Sequence, residues 1–174
     1  MMKRTVWLWS LFGFAVTSLG GTVLHFLYDW FDTAWIAPFS GVNESTWEHI
    51  KLLFWPMLGY AIAESLFFRG YKSFWCIKLK GILLGCLMIP LIFYMYNGVI
   101  GKSPDFVNIS IFFVAAAITY VYETRALKRD SGECNSKTLA IGTLFVMAFL
   151  FVVFTFDTPR IAIFKDPITG KYGI

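Results

Sequence analysis

Ala140-Ile141-Gly142-Thr143-Leu144-Phe145-Val146-Met147-Ala148-Phe149-Leu150-Phe151-Val152-Val153-Phe154-Thr155-Phe156 contains no charged residue. At 1.5 Å per helical residue the stretch is about 26 Å long, close to the hydrocarbon thickness of a bilayer. Working outward from it, four more apolar stretches stand at residues 6–27, 48–68, 77–97 and 106–122. The last of these is the weakest, being short and carrying Asn108 and Ser110. The whole chain of 174 residues agrees: 57% is hydrophobic, 20% aromatic and only 15% charged, where a soluble domain has about 25% charge. The apolar inventory is enough for about five spans of about 20 residues each. What remains is too little for a separate soluble domain, which needs at least about 50 residues. The expected fold is therefore an all-α polytopic membrane helical bundle of about five transmembrane helices in one domain, residues 1–174, with a connection at 28–47 and a tail at 157–174.

The net charge of +4 reads as topology before it reads as a partner, and nucleic acid is not expected. Lys3, Arg4, Arg69, Lys72, Lys78, Lys80, Arg125, Lys128, Arg129 and Lys137 fall on one side of the expected bundle, against Lys51, Lys102, Arg160, Lys165 and Lys171 on the other. The positive-inside rule then places the amino terminus in the cytoplasm and the carboxyl tail outside, in a multi-pass protein of the cell membrane. Met1-Met2-Lys3-Arg4, an apolar segment and Ser18-Leu19-Gly20 outline a cleavable signal peptide, but 6–27 is longer than the usual apolar core of such a peptide and reads as a span. Cys76, Cys86 and Cys134 show neither a close-spaced pair nor a metal-ligand spacing, so no disulfide framework and no cysteine metal site is expected.

Ionisable residues are expensive in lipid, so the few near the spans carry the functional reading. Ser10, Gly13, Thr17, Gly21 and His25 recur every three or four residues and line one face of the first span, where small side chains let another helix approach. Tyr28 and Asp29 follow one turn on. The second span opens with Val42-Asn43-Glu44-Ser45-Thr46-Trp47-Glu48-His49-Ile50-Lys51-Leu52. Ser45-Thr46-Trp47-Glu48 fits a capping box, which makes Glu48 a helix cap; the alternative makes it a catalytic carboxylate. His49, Leu53, Pro56, Tyr60 and Glu64 share the next face, and Pro56 removes a helical hydrogen bond. Glu64 stands near the inner end of its span, either reaching cytoplasmic water or Arg69, or forming an intramembrane proton or cation site.

His25, Asp29, Glu44, Glu48 and His49 would converge at the outer surface. Imidazole and carboxylate together suit Zn and related divalent metals, with His25, His49, Asp29 and Glu44 as candidate ligands. The same groups without metal would form an acid/base set, with His25, Glu48 and His49 as catalytic candidates. Tyr28, Asp29, Asn43, Glu44, Lys51 and Arg160 are candidate substrate contacts. The tail carries turn signals at Asp166-Pro167 and Thr169-Gly170 and is expected to fold back over the outer face.

Taken together, His25, Tyr28-Asp29-Trp30, the run Asn43-Glu44-Ser45-x-Trp47-Glu48-His49-x-Lys51-Leu52 and the ending Phe164-x-Asp166-Pro167-x-x-Gly170-x-Tyr172-Gly173 resemble an uncharacterised family of small multi-pass bacterial membrane proteins. That resemblance spans most of the chain and implies a topology, not a reaction. In size and span number the chain is also similar to tryptophan-rich sensory (translocator) proteins, whose motifs are not found here.

The expected function is binding of, or chemistry on, a membrane lipid or lipid-linked substrate at the outer leaflet, as a hydrolase or transferase. The alternatives are a small transporter or channel subunit using the His49, Tyr60 and Glu64 stripe, or a structural accessory subunit; under any of the three readings a homo-oligomer or a partner membrane subunit is compatible with the sequence.

Overall fold

The computed structural model describes residues 2–129, 134 and 136–174. Five helices run in chain order: α1 Met2–Phe31, α2 Thr46–Ser65, α3 Phe74–Val99, α4 Asp105–Arg129 and α5 Lys137–Phe156, followed by a short 3₁₀ turn, Ala162–Phe164. α1 and α2, α2 and α3, and α3 and α4 pack antiparallel, while α5 lies against α3 and α2. Trp9 and Gly13 meet Tyr60 while Gly20 meets Pro56, and Gly81 lies at Glu123 while Gly85 lies at Thr119. The side chains of Lys3 and Arg4, counted above for orientation, lie outside the described part.

Among the described residues, four segments are long and apolar enough to cross a membrane: Thr5–Phe31, Phe74–Val99, Phe106–Arg129 and Lys137–Phe156. α2 is the exception because it carries Glu48, His49, Lys51 and Glu64. It can do so because it is the central helix, in contact with α1, α3, α4, α5 and the 3₁₀ turn. Residues on both sides of it are buried, Leu52, Leu53 and Phe54 in succession among them. A helix shielded by its neighbours need not be apolar where it faces protein. The other four helices run further than their apolar cores. α1 remains helical through Asp29, and α4 continues past Tyr122 to take in Glu123.

The small-residue stripe of α1 is the packing seam. Ser10, Gly13, Thr17 and Gly21 are all buried. Thr17 Oγ1 and the Tyr120 hydroxyl are hydrogen-bonded at 2.8 Å, and the Tyr60 hydroxyl donates to the Trp9 carbonyl at 2.6 Å. At Gly21 the α1 backbone lies directly over the Phe112 ring, and a Cβ there would also stand 3.0 Å from the Leu52 carbonyl. α2 is continuous through Pro56, whose ring packs against Gly20 instead of breaking the element. Trp30, Phe31 and Trp35 are exposed at the far end of α1 and in the turn after it, as expected of aromatic side chains at headgroup level.

One sequence expectation is corrected. Cys76 and Cys134 are disulfide-bonded, with Cα atoms 5.6 Å apart. They are 58 residues apart in the chain, so no spacing rule could pair them; the antiparallel return of α4 brings Cys134 back to the start of α3. Cys86 is free and buried, as a small hydrophobe.

Gly21→Ala is expected to destabilise the bundle by roughly 1–3 kcal/mol, because neither an aromatic ring nor a backbone carbonyl can be displaced cheaply. Gly142→Ala, which adds a methyl in open space, should leave the melting temperature in detergent unchanged. Equal melting of the two variants would contradict this packing.

Candidate functional site

The end of the bundle formed by the carboxyl ends of α1, α3 and α5 and the start of α2 is organised by one short segment. The Asn43 side-chain oxygen accepts from the Ser45 amide at 2.9 Å, and the Ser45 hydroxyl, at the N-cap, accepts from the Glu48 amide at 3.4 Å. Glu48 does not complete the reciprocal capping box, since the Ser45 amide is already taken. Its carboxylate reaches the Val42 amide at 3.0 Å and Lys51 Nζ at 2.6 Å. Lys51, expected as a substrate contact, has no exposed area and is corrected to a buried structural residue. Its ammonium donates to the Ala37 carbonyl at 2.8 Å and Thr155 Oγ1 at 3.1 Å, besides Glu48. Three donors thus find three acceptors, on the preceding loop, α2 and α5. Both members of the pair are buried and stitch the loop to the bundle.

The same turn presents two neighbouring side chains outward. His49 Nδ1 lies 3.0 Å from the Ser45 carbonyl. A carbonyl only accepts, so Nδ1 carries the proton and Nε2 keeps its lone pair. Glu44 lies between the two imidazoles, with Oε1 3.5 Å from His25 Nε2 and Oε2 3.6 Å from His49 Nε2. The rings are 5.7 Å apart between centroids, and one ligand atom from each of the three residues falls within 4.8 Å of the other two. The hydrogen bond from His25 holds the Glu44 carboxyl below its ordinary range, against the opposing effect of burial. Glu44 is therefore anionic at neutral pH.

These three residues stand at the mouth of a cavity of about 440 Å³. Gly21, Thr22 and Phe26 of α1, Leu52 of α2, and Asn108 and Phe112 of α4 line it. Phe26 and Ile109, on its outer edge, are 46% and 58% exposed on the apolar face of the bundle, so the cavity borders the surface that would meet lipid. A much smaller void on the other side of Glu44 and His49 touches Thr46 and Phe93.

The tail folds back over this end. Asn43 Nδ2 donates to the Gly173 carbonyl at 3.0 Å, and Phe164 is buried against Trp47, their rings 4.6 Å apart. The predicted turn forms: Asp166 accepts from the Ile168 amide and the Thr169 hydroxyl, and Gly170 returns its amide to the Asp166 carbonyl. Gly173 has φ +68°, and a Cβ there would strike Thr158, so only glycine closes the strap. Ile168 then forms part of the cavity wall.

Of the candidate residues, His25, Glu44 and His49 come together, and Asn43 supports them from behind. Asp29 is exposed and outside that group, and Tyr28 contributes its backbone amide, bonded to Ser40 Oγ at 2.8 Å. Arg160 is exposed and takes part in none of the ion pairs among the described residues. Thr22, Asn108 and Ile168 were missed as cavity residues. Asn108 alone left a signal, as a polar residue that weakened an otherwise apolar stretch; its Oδ1 accepts from Ser103 Oγ at 2.7 Å.

Four apolar helices packed around a charged central one define a helical membrane protein. The chain belongs to a family of unknown function, DUF6512, whose model matches residues 2–174. No curated protein matches it, and no solved structure does.

Lys51→Met is expected to cost about 3–5 kcal/mol, since it leaves the Glu48 carboxylate buried and unpaired. The double variant Glu48→Gln with Lys51→Met should recover much of that loss in a detergent melt. No recovery would mean that the ammonium stabilises the fold mainly through Ala37 and Thr155.

Proposed function

We propose that His25, Glu44 and His49 bind one divalent transition metal, of which zinc fits best, and that the metal acts on a lipid or lipid-linked substrate entering the adjoining cavity between α1 and α4. The observation that carries this reading is the convergence of three ligand atoms within 4.8 Å at the mouth of a largely apolar pocket. Ligands about 2.05 Å from a tetrahedral metal stand about 3.3 Å from one another. The separations of 3.5 and 3.6 Å between Glu44 and the imidazoles are close to that edge and longer than the about 2.7–2.9 Å usual for charge-assisted hydrogen bonds. The His49 tautomer set by the Ser45 carbonyl leaves Nε2 as the donor atom, the usual outer-shell arrangement at metal sites. Two histidines and a glutamate leave a fourth position, as catalytic rather than structural zinc sites do. There a bound metal would supply a water nucleophile at neutral pH, and the reaction class is hydrolysis or group transfer. The apolar wall suits an acyl chain, and no described element beyond the bundle is available to grip a water-soluble polymer. The excess of Lys and Arg at the opposite end supports an outer position for this site. In that orientation Cys76 and Cys134 face the reducing compartment, where disulfides are rare.

Elemental analysis of the purified protein is expected to give one zinc per chain, lost in His25→Ala, His49→Ala and Glu44→Ala while each variant still melts cooperatively. Affinity should fall as pH drops through about 6.5, where imidazole takes up protons in competition with metal. Glu44, held anionic, sets no boundary in that range. Metal-free wild-type protein after zinc supplementation, or stoichiometry unchanged in all three variants, would defeat the assignment.

A further inference from the structure

At the other end of α2, three charged side chains from three helices meet away from solvent. Lys78 of α3 contacts Glu64 of α2 and lies 2.6 Å from Glu123 Oε2 of α4. Relative exposures are 0% for Glu64, 0% for Glu123 and 2% for Lys78. The ammonium also lies 5.5–5.8 Å from the ring centroids of Tyr60, Phe74 and Tyr120. Val6, Phe68, Phe74 and Leu127 form a buried apolar cluster at the same end of the bundle.

Two carboxylates and one ammonium sum to a single uncompensated negative charge. Glu64 Oε1 and Glu123 Oε1 are both buried with no hydrogen-bond partner. Glu123 Oε1 lies over Gly81, where no side chain intervenes. An unpaired charge in such a medium is heavily penalised, and the penalty is relieved by neutralisation. Among the described residues, the other polar groups that face the cluster leave it unrelieved. On α1 they are Thr17 and the Trp9 carbonyl, which do not titrate, and on α2 and α4 they are the Tyr60 and Tyr120 hydroxyls, each already bonded to α1. Thr119, also nearby, spends its hydroxyl on the Gly81 carbonyl. A hard metal cation asks for six or more oxygen ligands, which two carboxylates sharing one lysine do not supply. A proton asks for one.

We propose that Glu64, Lys78 and Glu123 form an intramembrane proton-binding site that holds one proton at neutral pH, carried by the two carboxyl groups together while Lys78 stays charged between them. With the proton the three helices meet around a neutral cluster; without it they meet around a buried anion. The proton thus becomes part of what joins α2, α3 and α4, independently of any metal at the opposite end.

Infrared difference spectroscopy on the full chain in nanodiscs at neutral pH tests this. Wild type should show one protonated carboxyl C=O band, sensitive to deuterium. Glu64→Gln and Glu123→Gln should each abolish it, because the remaining glutamate then pairs one-to-one with Lys78. Lys78→Met should enlarge it, and Glu48→Gln should leave it intact. No such band in wild type, a band that survives both Gln substitutions, or one lost in Glu48→Gln would overturn the proposal. A second reading comes from unfolding equilibria. A native state holding one proton that the unfolded chain has released becomes less stable as pH rises. The ratio of the unfolding constants of wild type and Glu64→Gln should therefore rise about tenfold per pH unit between about pH 5 and 7. A ratio independent of pH, or one that responds to sodium or potassium instead, would likewise overturn it.

Discussion

Charge that has left water must be neutralised by a partner inside the protein, and this requirement organises the bundle around α2. That helix carries a charged group near each end, and each is met in part from other elements. Lys51 is answered by Glu48, the Ala37 carbonyl and Thr155; Glu64 is answered by Lys78, which also engages Glu123. Because the partners come from the loop, α3, α4 and α5, satisfying the charges fixes where those elements sit. The apolar contacts between the clusters, Leu53, Phe54 and Met57 among them, fill the space that this arrangement leaves. Hydrophobic side chains alone would permit many rotations of one helix against another, since lipid is as apolar as the neighbouring helix. Paired charges permit few.

The candidate metal site is a by-product of the same arrangement. The turn that buries Glu48 and Lys51 leaves Glu44 and His49 facing the other way, toward α1, where His25 lies one turn beyond Gly21. The close approach at Gly21, with the Phe112 ring against the α1 backbone, sets the width of the cavity and brings α4 in as its far wall. The tail completes the enclosure, since Asn43 belongs both to the turn and to the strap, holding Gly173. Changes at the strap are thus felt at the site through one side chain.

The site was partly legible. The Asn43 to His49 run announced a capped helix start bearing polar side chains, and the small-residue stripe of α1 pointed His25 inward. What stayed hidden was the division of labour within that run. Glu44 and Glu48 are both acidic and four residues apart, yet one faces a cavity and the other a buried lysine, a difference decided by the loop that precedes them. The second charged cluster was less legible still. Lys78 and Glu123 stand at the ends of apolar stretches, where a charge ordinarily marks the limit of a span and reaches water. Only the crossing of three helices shows that they meet.

By itself the sequence determined the class. Long uncharged runs admit no solvent except lipid, because every backbone group must then be satisfied within a helix; the five helices, their order and the folded tail follow from that and from the turn residues. Tertiary structure decided which helix is central, which charges are buried, that Cys76 meets Cys134, and that two histidines far apart in the chain share one carboxylate. Those are relations between segments that are distant in sequence, and helical periodicity fixes the faces of each element but not which face of another it will meet.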